Sequence, residues 1–456
     1  MPISSTSGTS VREIAGKLMA RTRWTPERLA AHQRERLDEL VRHAVAGSPY
    51  YRKLLGADAA DGGTGVRLRD LPTLTKATLM EHFDEIITEG PVRRDAAGAH
   101  LAGPRPGRPF GPHRVFATSG STGRPGIFVY SQAEFAVWTA SHLRMMACMG
   151  ITPDMRAVGI GAPSPAHLSR QMMAEVAAGR PGDAPALSVA TPMPYMVTAL
   201  DGYRPDAIST FPSTAALLAE EQLAGRLRIA PTVVAVGAEV LTEDMRRRIR
   251  DAWGIEPRQA YLTGEAPLIA SACTGEEGMR LWEDLVLVEV VDADDRPVAP
   301  GVAGDKVLIT NLVNRVQPLI RYELTDLVTL APGPDRAGDP FRRLSSVEGR
   351  SDDVITLPAP GGGDVAVQPV LLRAPFTAFR EVMQYQVTYD GHGLTGRVVL
   401  REGSPSDTAD RLRAELTRQL REAGAVPPPI AIVPTLEIGR EGGHAAKFKL
   451  IRHTGR

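Results

Sequence analysis

Cysteine is almost absent from this 456-residue sequence: Cys148 and Cys273 are the only two. Two thiols cannot build a disulfide scaffold, and without histidines grouped around them a structural zinc site is not expected. Long apolar runs are also missing, because none approaches the ~18–20 residues that span a bilayer. The first 21 residues are Ser/Thr-rich and then amphipathic, without the apolar stretch of a secretory signal. The expectation is therefore a cytoplasmic protein with no membrane partner. Net charge is missing too: 53 basic residues balance 53 acidic ones. That balance removes the attraction on which nucleic-acid binding rests, so no nucleic-acid partner is expected. Lysine is scarce, with six (positions 17, 53, 76, 306, 447 and 449) among the 53 basic residues and arginine at the other 47. A bias of this kind drifts surface lysines to arginine, which makes each retained lysine a candidate for chemistry that arginine cannot perform.

What is present is an ordinary globular composition, 43% hydrophobic and 23% charged. The length suits about three domains of ~150 residues, or fewer and larger ones. Residues 26–46 carry Leu29, Leu37, Leu40, Val41 and Ala44 at helical spacing, and Ser48-Pro49 ends that helix. Residues 91–114, rich in Gly, Pro and Arg, read as a loop or flexible connection. From about 115 to 330, short apolar runs (156–160, 207–210, 233–236, 285–291, 306–311) alternate with helical patterns such as 213–227 and 242–253. Alternation of this kind predicts an α/β layered domain. A boundary near Gly349-Arg350-Ser351-Asp352-Asp353 leads into the turn-rich stretch 358–363. Beyond it, strands at 384–389 and 396–401, a helix with leucines at 412, 416 and 420, and a strand at 431–438 make a small α+β unit. The reading is a large N-terminal multi-layer α/β domain, 1–349, and a small mobile C-terminal α+β domain, 350–456.

The most specific local feature is Ala117-Thr118-Ser119-Gly120-Ser121-Thr122-Gly123-Arg124-Pro125-Gly126, directly after Val115-Phe116. Two glycines among four hydroxyl residues give a loop that can bend round an oxyanion, with backbone N–H groups and hydroxyls donating to phosphate. It is not a Walker A loop, since Gly-Lys-Ser/Thr is absent. By itself it is equally well a surface turn. Val236-Gly237-Ala238-Glu239 ends a predicted strand, where Gly237 lets a flat base approach the backbone. Tyr261-Leu262-Thr263-Gly264-Glu265 places an aromatic ring near a carboxylate able to hold Mg²⁺. Asp326, in Arg321-Tyr322-Glu323-Leu324-Thr325-Asp326, offers a carboxylate for two ribose hydroxyls, and Ala446-Lys447-Phe448-Lys449 lies near the end. Each alone has a plain explanation: a surface acid, a cap, a solvated lysine. Their order and separation together do not.

This set resembles the adenylate-forming superfamily, with an acyl-CoA synthetase-like fold, and within it the phenylacetate-CoA ligase-like branch. The likeness runs from Ser48-Pro49-Tyr50-Tyr51 through Phe211-Pro212-Ser213 and Leu281-Trp282-Glu283-Asp284 to the lysine tail. The resemblance implies that Thr118, Ser119, Gly120, Ser121, Thr122 and Gly123 grip the β,γ-phosphates of ATP. It implies that Gly237, Ala238 and Glu239 wall the adenine, that Tyr261 stacks on it, and that Leu262 and Thr263 adjoin the nucleotide. Glu265 is similar to the magnesium-binding acid, Asp326 to the ribose aspartate, Arg350 to the arginine beside the hinge, and Asp352 to the hinge residue. Lys447 resembles the mobile lysine of the adenylation step, ahead of Lys449. The branch puts its acid pocket near Trp138, His142, Phe211 and Pro212, and nearby methionines (145, 146, 149, 172, 173) are able to line it.

The implied activity is ATP- and Mg²⁺-dependent activation of a small carboxylic acid, aromatic or heteroaromatic, as acyl-AMP, followed by transfer to coenzyme A. Two departures keep other acceptors open. Leu262 and Gly264 stand where the family has a glycine and a hydroxyl residue, and 355–364 replaces a loop associated with the thiol site. The alternatives are an acceptor amine, a carrier-protein thiol or a nitrite-activating, diazotase-type reaction in secondary metabolism, and a nucleotide-binding pseudoenzyme. Dimers are common in the branch, so a homodimer is a candidate assembly.

Overall fold

Short β-branched runs bounded by helices assemble into a nine-stranded mixed sheet, and the computed structural model describes residues 10–56, 67–90, 92–118, 126–178, 184–333, 339–440 and 448–454. Across the sheet the strands run Asp326–Leu330, Arg343–Arg350, Met279–Leu281, Ala270–Ser271, Arg258–Tyr261, Val233–Gly237, Ala207–Thr210, Ala157–Gly161 and Leu187–Ser188. The last five are mutually parallel and the first four antiparallel to their neighbours. Strand Val233–Gly237 is buried throughout, as expected for a parallel strand covered on both faces. Helices Pro212–Leu223 and Glu243–Trp253 are the crossovers, the second opened by Thr242, whose side chain accepts the Met245 N–H at 3.3 Å. No helix among the described residues is long and apolar enough to cross a membrane.

The stretch 91–114 is not all loop. Arg94–Ala102 forms a helix that buries Ala97 and Leu101, and a strand begins at His113. Four alanines outweigh the single Gly98 there, a balance hidden by the Gly/Pro residues that follow. Similarly, the turn-rich stretch after the 350s is not an open linker. Strands Ile355–Pro358 and Asp364–Val367 pair antiparallel, with the Pro/Gly residues turning between them. Near the end, strand Ile430–Pro434 is shorter than its apolar run suggests.

The last hundred residues have their own four-stranded sheet, in the order Ile430–Pro434, Leu394–Leu400, Val382–Tyr389, Ile451–His453. Helix Thr408–Glu422 lays Leu412, Leu416 and Leu420 on this core, all three fully buried. The core also takes in Ala216 and Met245 from the two crossover helices of the large sheet. Charged contacts cross the same seam. Arg401 pairs with the buried Glu220, and Arg248 donates to the Val382 and Met383 carbonyls. In this arrangement the C-terminal unit is docked on the large sheet.

The Leu281-Trp282-Glu283-Asp284 element is structural. Arg144 and Asp284 form an ion pair of 2.9 Å with both side chains at 0% exposure, and the guanidinium lies 4.1 Å from the Trp282 ring centroid. Arg21 adds a second donor to Asp284 at 3.2 Å, and Glu283 is bound by Arg342. Asp284→Ala strands the Arg144 charge without its buried partner, so a loss of about 3–5 kcal/mol in unfolding free energy is expected from urea denaturation. A loss below about 1 kcal/mol would show that the pair carries no such constraint.

Candidate active site

The carboxyl ends of the parallel strands open onto a cavity of about 480 Å³. This edge is where ligands bind in open α/β sheets, because the strand-to-helix turns leave backbone groups outside the ladder. Gly237, Ala238 and Glu239 follow strand Val233–Gly237, and Tyr261, Leu262 and Thr263 follow strand Arg258–Tyr261; all six line the cavity. A β-carbon on Gly237 would sit 2.8 Å from the Ala260 carbonyl oxygen. The glycine is thus required by packing against the neighbouring strand, a reason different from the open approach read in the sequence. Ala238 adopts φ 67°, a left-handed conformation uncommon outside glycine, at the point where the chain turns into the cleft.

Tyr261 lines the cavity, 6% exposed, and its hydroxyl donates to Asp326 Oδ2 at 2.8 Å. Burial, with the Asp326 charge adding to it, pushes the Tyr261 phenol well up, so it stays a donor. Asp326 also faces Arg350, whose Nε is 4.0 Å from Oδ1. A carboxylate accepts about four hydrogen bonds, which leaves Asp326 capacity for ribose hydroxyls. Arg350 donates to Thr325 Oγ1 at 3.0 and 2.7 Å, and Thr325 donates to Asp352 at 3.1 Å. Asp326, Arg350 and Asp352 are therefore tied at the point where the chain leaves the large sheet.

Glu265 is 9% exposed, lines the cavity, and forms no ion pair within 4 Å among the described residues. Its backbone carbonyl is pinned by two buried donors, Tyr130 Oη at 3.0 Å and Asn311 Nδ2 at 3.0 Å, which aims the side chain. Burial raises the Glu265 carboxyl above its usual range. A buried carboxylate with no ion pair among the described residues suits a magnesium ligand, although Arg350 and Lys76 lie near enough to favour its charge. No cluster of three or more metal-binding side chains occurs among the described residues, so such an ion would draw its other oxygens from phosphate and water. Thr263 supplies a second sign, because its buried hydroxyl oxygen has no hydrogen bond among the described residues.

Thr118 lines the cavity, and its N–H bonds the Gly126 carbonyl at 3.0 Å, closing the base of the hydroxyl-rich segment. Ser119, Gly120, Ser121, Thr122 and Gly123 lie outside the described residues, as does Lys447. Gly264, the departure from the family pattern, packs directly on Thr118, and a β-carbon there would overlap the Thr118 methyl. The two positions are complementary in size, which accounts for the absent hydroxyl. The apolar end of the cavity holds Trp138, His142 and Phe211 with Met145, Met149, Met172 and Met173. Pro212 is buried in its helix and does not line the cavity, and Met146 packs in the core.

Two lysines, Lys76 and Lys449, line the cavity. Lys76 lines the cavity from the start of helix Lys76–Glu81; burial lowers its pKa, opposed by Glu265. The scarcity of lysine was the available signal, but no motif singled out position 76. Lys449 also lines the cavity, near Asp353.

No protein-family model matches the chain. It is 29% identical over 420 residues to the phenylacetate-coenzyme A ligase of Thermus thermophilus, covering 87% of this chain and 84% of that protein. It is 28% identical over 414 residues to the Escherichia coli phenylacetate-coenzyme A ligase, covering 87% of each. Among solved structures, 2-hydroxyisobutyryl-CoA ligase in the postadenylation state superposes with a TM-score of 0.73 at 20% identity, over 95% of this chain and 91% of that one.

Gly264→Ser is expected to cost about 1–3 kcal/mol in thermal or chemical unfolding, since the added atoms press on Thr118. Adding Thr118→Ser, which removes the obstructing methyl, should recover at least half of that loss in a double-mutant cycle. Additive losses would show that the two residues do not share the space.

A pH test follows from Asp353. Burial pushes its carboxyl up to about 6, while Arg350 and Lys449 hold it back and Asp352 adds to the rise. The folded carboxyl binds its proton more tightly than the unfolded one. Its stabilising contribution is therefore complete below about pH 4 and is lost as pH rises through the folded value. Asp353→Asn should flatten the fall in melting temperature between about pH 4 and 6 relative to the parent. An unchanged slope would place Asp353 in ordinary solvent.

Proposed function

We propose a two-step ligase reaction in this cleft for the chain, which belongs to the phenylacetate-CoA ligase-like branch of the adenylate-forming superfamily. The enzyme is an ATP-dependent, AMP-forming ligase that activates a carboxylic acid and passes the acyl group to coenzyme A. In the first step a carboxylate oxygen attacks the α-phosphorus of ATP. The bond from that phosphorus to the bridging oxygen breaks, and pyrophosphate leaves with the electron pair. In the second step the coenzyme A thiolate attacks the acyl carbon and AMP departs; the thiol proton goes to solvent.

The observation that supports this reading is convergence: Thr118, Tyr261 with Glu265, Asp326 and Arg350, from four separated segments, line one cavity. In this reading Asp326 holds the ribose, Tyr261 and 237–239 flank the adenine, and Thr118 with the adjoining hydroxyl-rich segment takes the phosphates. Glu265 would hold Mg²⁺, which when bound neutralises phosphate charge. The domain division at 349/350 and the hinge at Asp352 belong to the same proposal, with motion confined to the few residues between strand Arg343–Arg350 and the hairpin from Ile355. Lys447 brings its ammonium to the forming bond, where two anions meet. Trp138, Phe211 and the methionines favour a flat, apolar acid, and aromatic carboxylic acids are the proposed class. Dependence on ATP and coenzyme A supports a cytoplasmic location in this reading.

Pyrophosphate release across a panel of aromatic and aliphatic acids, with and without coenzyme A, tests the reading. Acid-dependent release with thioester formation is expected. Release indifferent to coenzyme A would point to another acceptor, and no acid-dependent release would leave a nucleotide-binding pseudoenzyme. Lys447→Ala should lower acid-dependent release about 10²–10³-fold, the usual cost of one preorganised charge at a transition state. If Lys449→Ala carries that loss and Lys447→Ala does not, the roles of the two lysines are exchanged.

A further inference from the structure

Cys148 and Cys273, the only cysteines of the chain, stand side by side as free thiols. Cys148 is the last residue of helix Gln132–Cys148, where carbonyls have no partner within the helix. Its carbonyl instead accepts the Thr274 N–H at 2.8 Å and Thr274 Oγ1 at 3.1 Å. Thr274 follows Cys273 directly, so these two bonds set the cysteines opposite one another. Arg258 closes the same junction, donating to the Met149 carbonyl and, at 2.8 Å, to Thr274 Oγ1. The Cys273 thiol has two acceptors in reach, the Ser271 carbonyl at 3.9 Å and the Cys148 sulfur. Both cysteines are half-buried, and their neighbours Ala147 and Thr274 are exposed, which leaves the junction at the surface.

The surroundings treat the two thiols unequally. Arg144 precedes Cys148 by four residues on one face of the helix, and its side chain is fully buried. Nη1 is taken by Asp284 and the Leu18 carbonyl, whereas Nε and Nη2 have no hydrogen-bond partner among the described residues. Buried cationic N–H groups in that state favour an anion nearby. The bond from Cys273 holds the Cys148 thiol below its usual range; Arg144 and Arg280 act in the same sense, against burial and the Glu276 charge. Cys273 is pushed up, first by that same bond and then by burial. The thiolate is the nucleophile, so Cys148 reacts first and Cys273 second.

We infer that Cys148 and Cys273 are a peroxide-responsive dithiol site, which closes a reversible disulfide and ties the helix carrying Trp138, His142 and Met145 to the sheet. The oxidant is a hydroperoxide. The Cys148 thiolate attacks one peroxide oxygen: the S–O bond forms, the O–O bond breaks, and hydroxide leaves with the electron pair. Sulfur is oxidised, peroxide is reduced, and the hydroxide takes up the proton that Cys148 lost. The Cys273 sulfur then attacks the Cys148 sulfenic acid: the S–S bond forms, the S–O bond breaks, and the departing hydroxide leaves as water with the Cys273 proton. With hydrogen peroxide, two thiols give one disulfide and two waters, and a dithiol reductant reverses the result. A transient, redox-sensing disulfide is the kind that a reducing compartment permits. Met149, next in the chain, lines the cavity, so the bridge forms beside the apolar end of the cleft. The inference needs no turnover and stands apart from the ligase reading.

The test uses the full chain, reduced and freed of reductant, with hydrogen peroxide as the oxidant. Stoichiometric peroxide should remove both thiols of the parent, counted with a thiol reagent after denaturation, and a non-reducing digest should contain the linked Cys148 and Cys273 peptides. Dithiothreitol should restore both thiols. Cys273→Ser should react within about threefold of the parental rate and stop at a Cys148 sulfenic acid that dimedone traps, whereas Cys148→Ser should react at least about tenfold more slowly. In the oxidised parent, hydrogen exchange over the last turn of helix Gln132–Cys148 should slow at least about threefold, with no such change in either peroxide-treated variant. Thiols that survive peroxide in the parent, a disulfide between chains instead of within one, or equal rates in the two variants would overturn the inference. Unaltered hydrogen exchange in the disulfide form would overturn the tie between helix and sheet.

Discussion

All parts of the site depend on a shared edge: the parallel strands ending at Gly161, Thr210, Gly237 and Tyr261 stop at one side of the sheet. Their turns into helices or loops expose backbone that the ladder no longer uses, and they set the floor of a single cavity. Position along that edge assigns the contributions. The strand at 233–237 delivers Ala238 in its left-handed turn and Glu239 at the seam. The strand at 258–261 delivers Tyr261 and, after it, Thr263 and Glu265. The antiparallel half of the sheet brings Asp326 and Arg350 into register with each other.

Charge is managed differently at two places on this frame. Away from the cleft, buried charges are matched, as in Arg144 with Asp284 and Glu220 with Arg248 and Arg401. Such pairs fix how helices sit on the sheet, and breaking one leaves an uncompensated ion. At the cleft the matching is incomplete. Among the described residues Glu265 has no ion pair and the buried Thr263 hydroxyl has no hydrogen-bond partner, while Lys76 is partly desolvated. Groups left in that condition are stable only where a ligand completes them, which is the physical signature of a binding site.

Much of this was legible in the sequence, and the limits are instructive. The apolar runs ending at Thr210 and Val236 gave strands within a residue or so, because buried parallel strands are continuous blocks of β-branched residues. Asp326 and Glu265 stood out because their surroundings match the order of motifs in the family that the sequence resembles. The helix at Arg94–Ala102 was hidden by flanking glycines and prolines, and the hairpin at 355–367 by its turn. Local composition reports the turn; pairing reports the strands, and pairing is non-local. The reason for Gly264 was invisible for the same cause, since Thr118 lies far away in sequence. Lys76 carried only its rarity, and the partners of the Glu239 carboxylate, Arg440 and Phe448, arrive from about two hundred residues downstream.

The central claim is that distant segments converge on one bound mononucleotide. A crystal structure with a non-hydrolysable acyl-adenylate analogue tests it most directly. The account predicts ribose hydroxyls on Asp326, adenine between Tyr261 and residues 237–239, and the acyl group toward Trp138 and Phe211. An analogue bound elsewhere, or with its ribose away from Asp326, would contradict it.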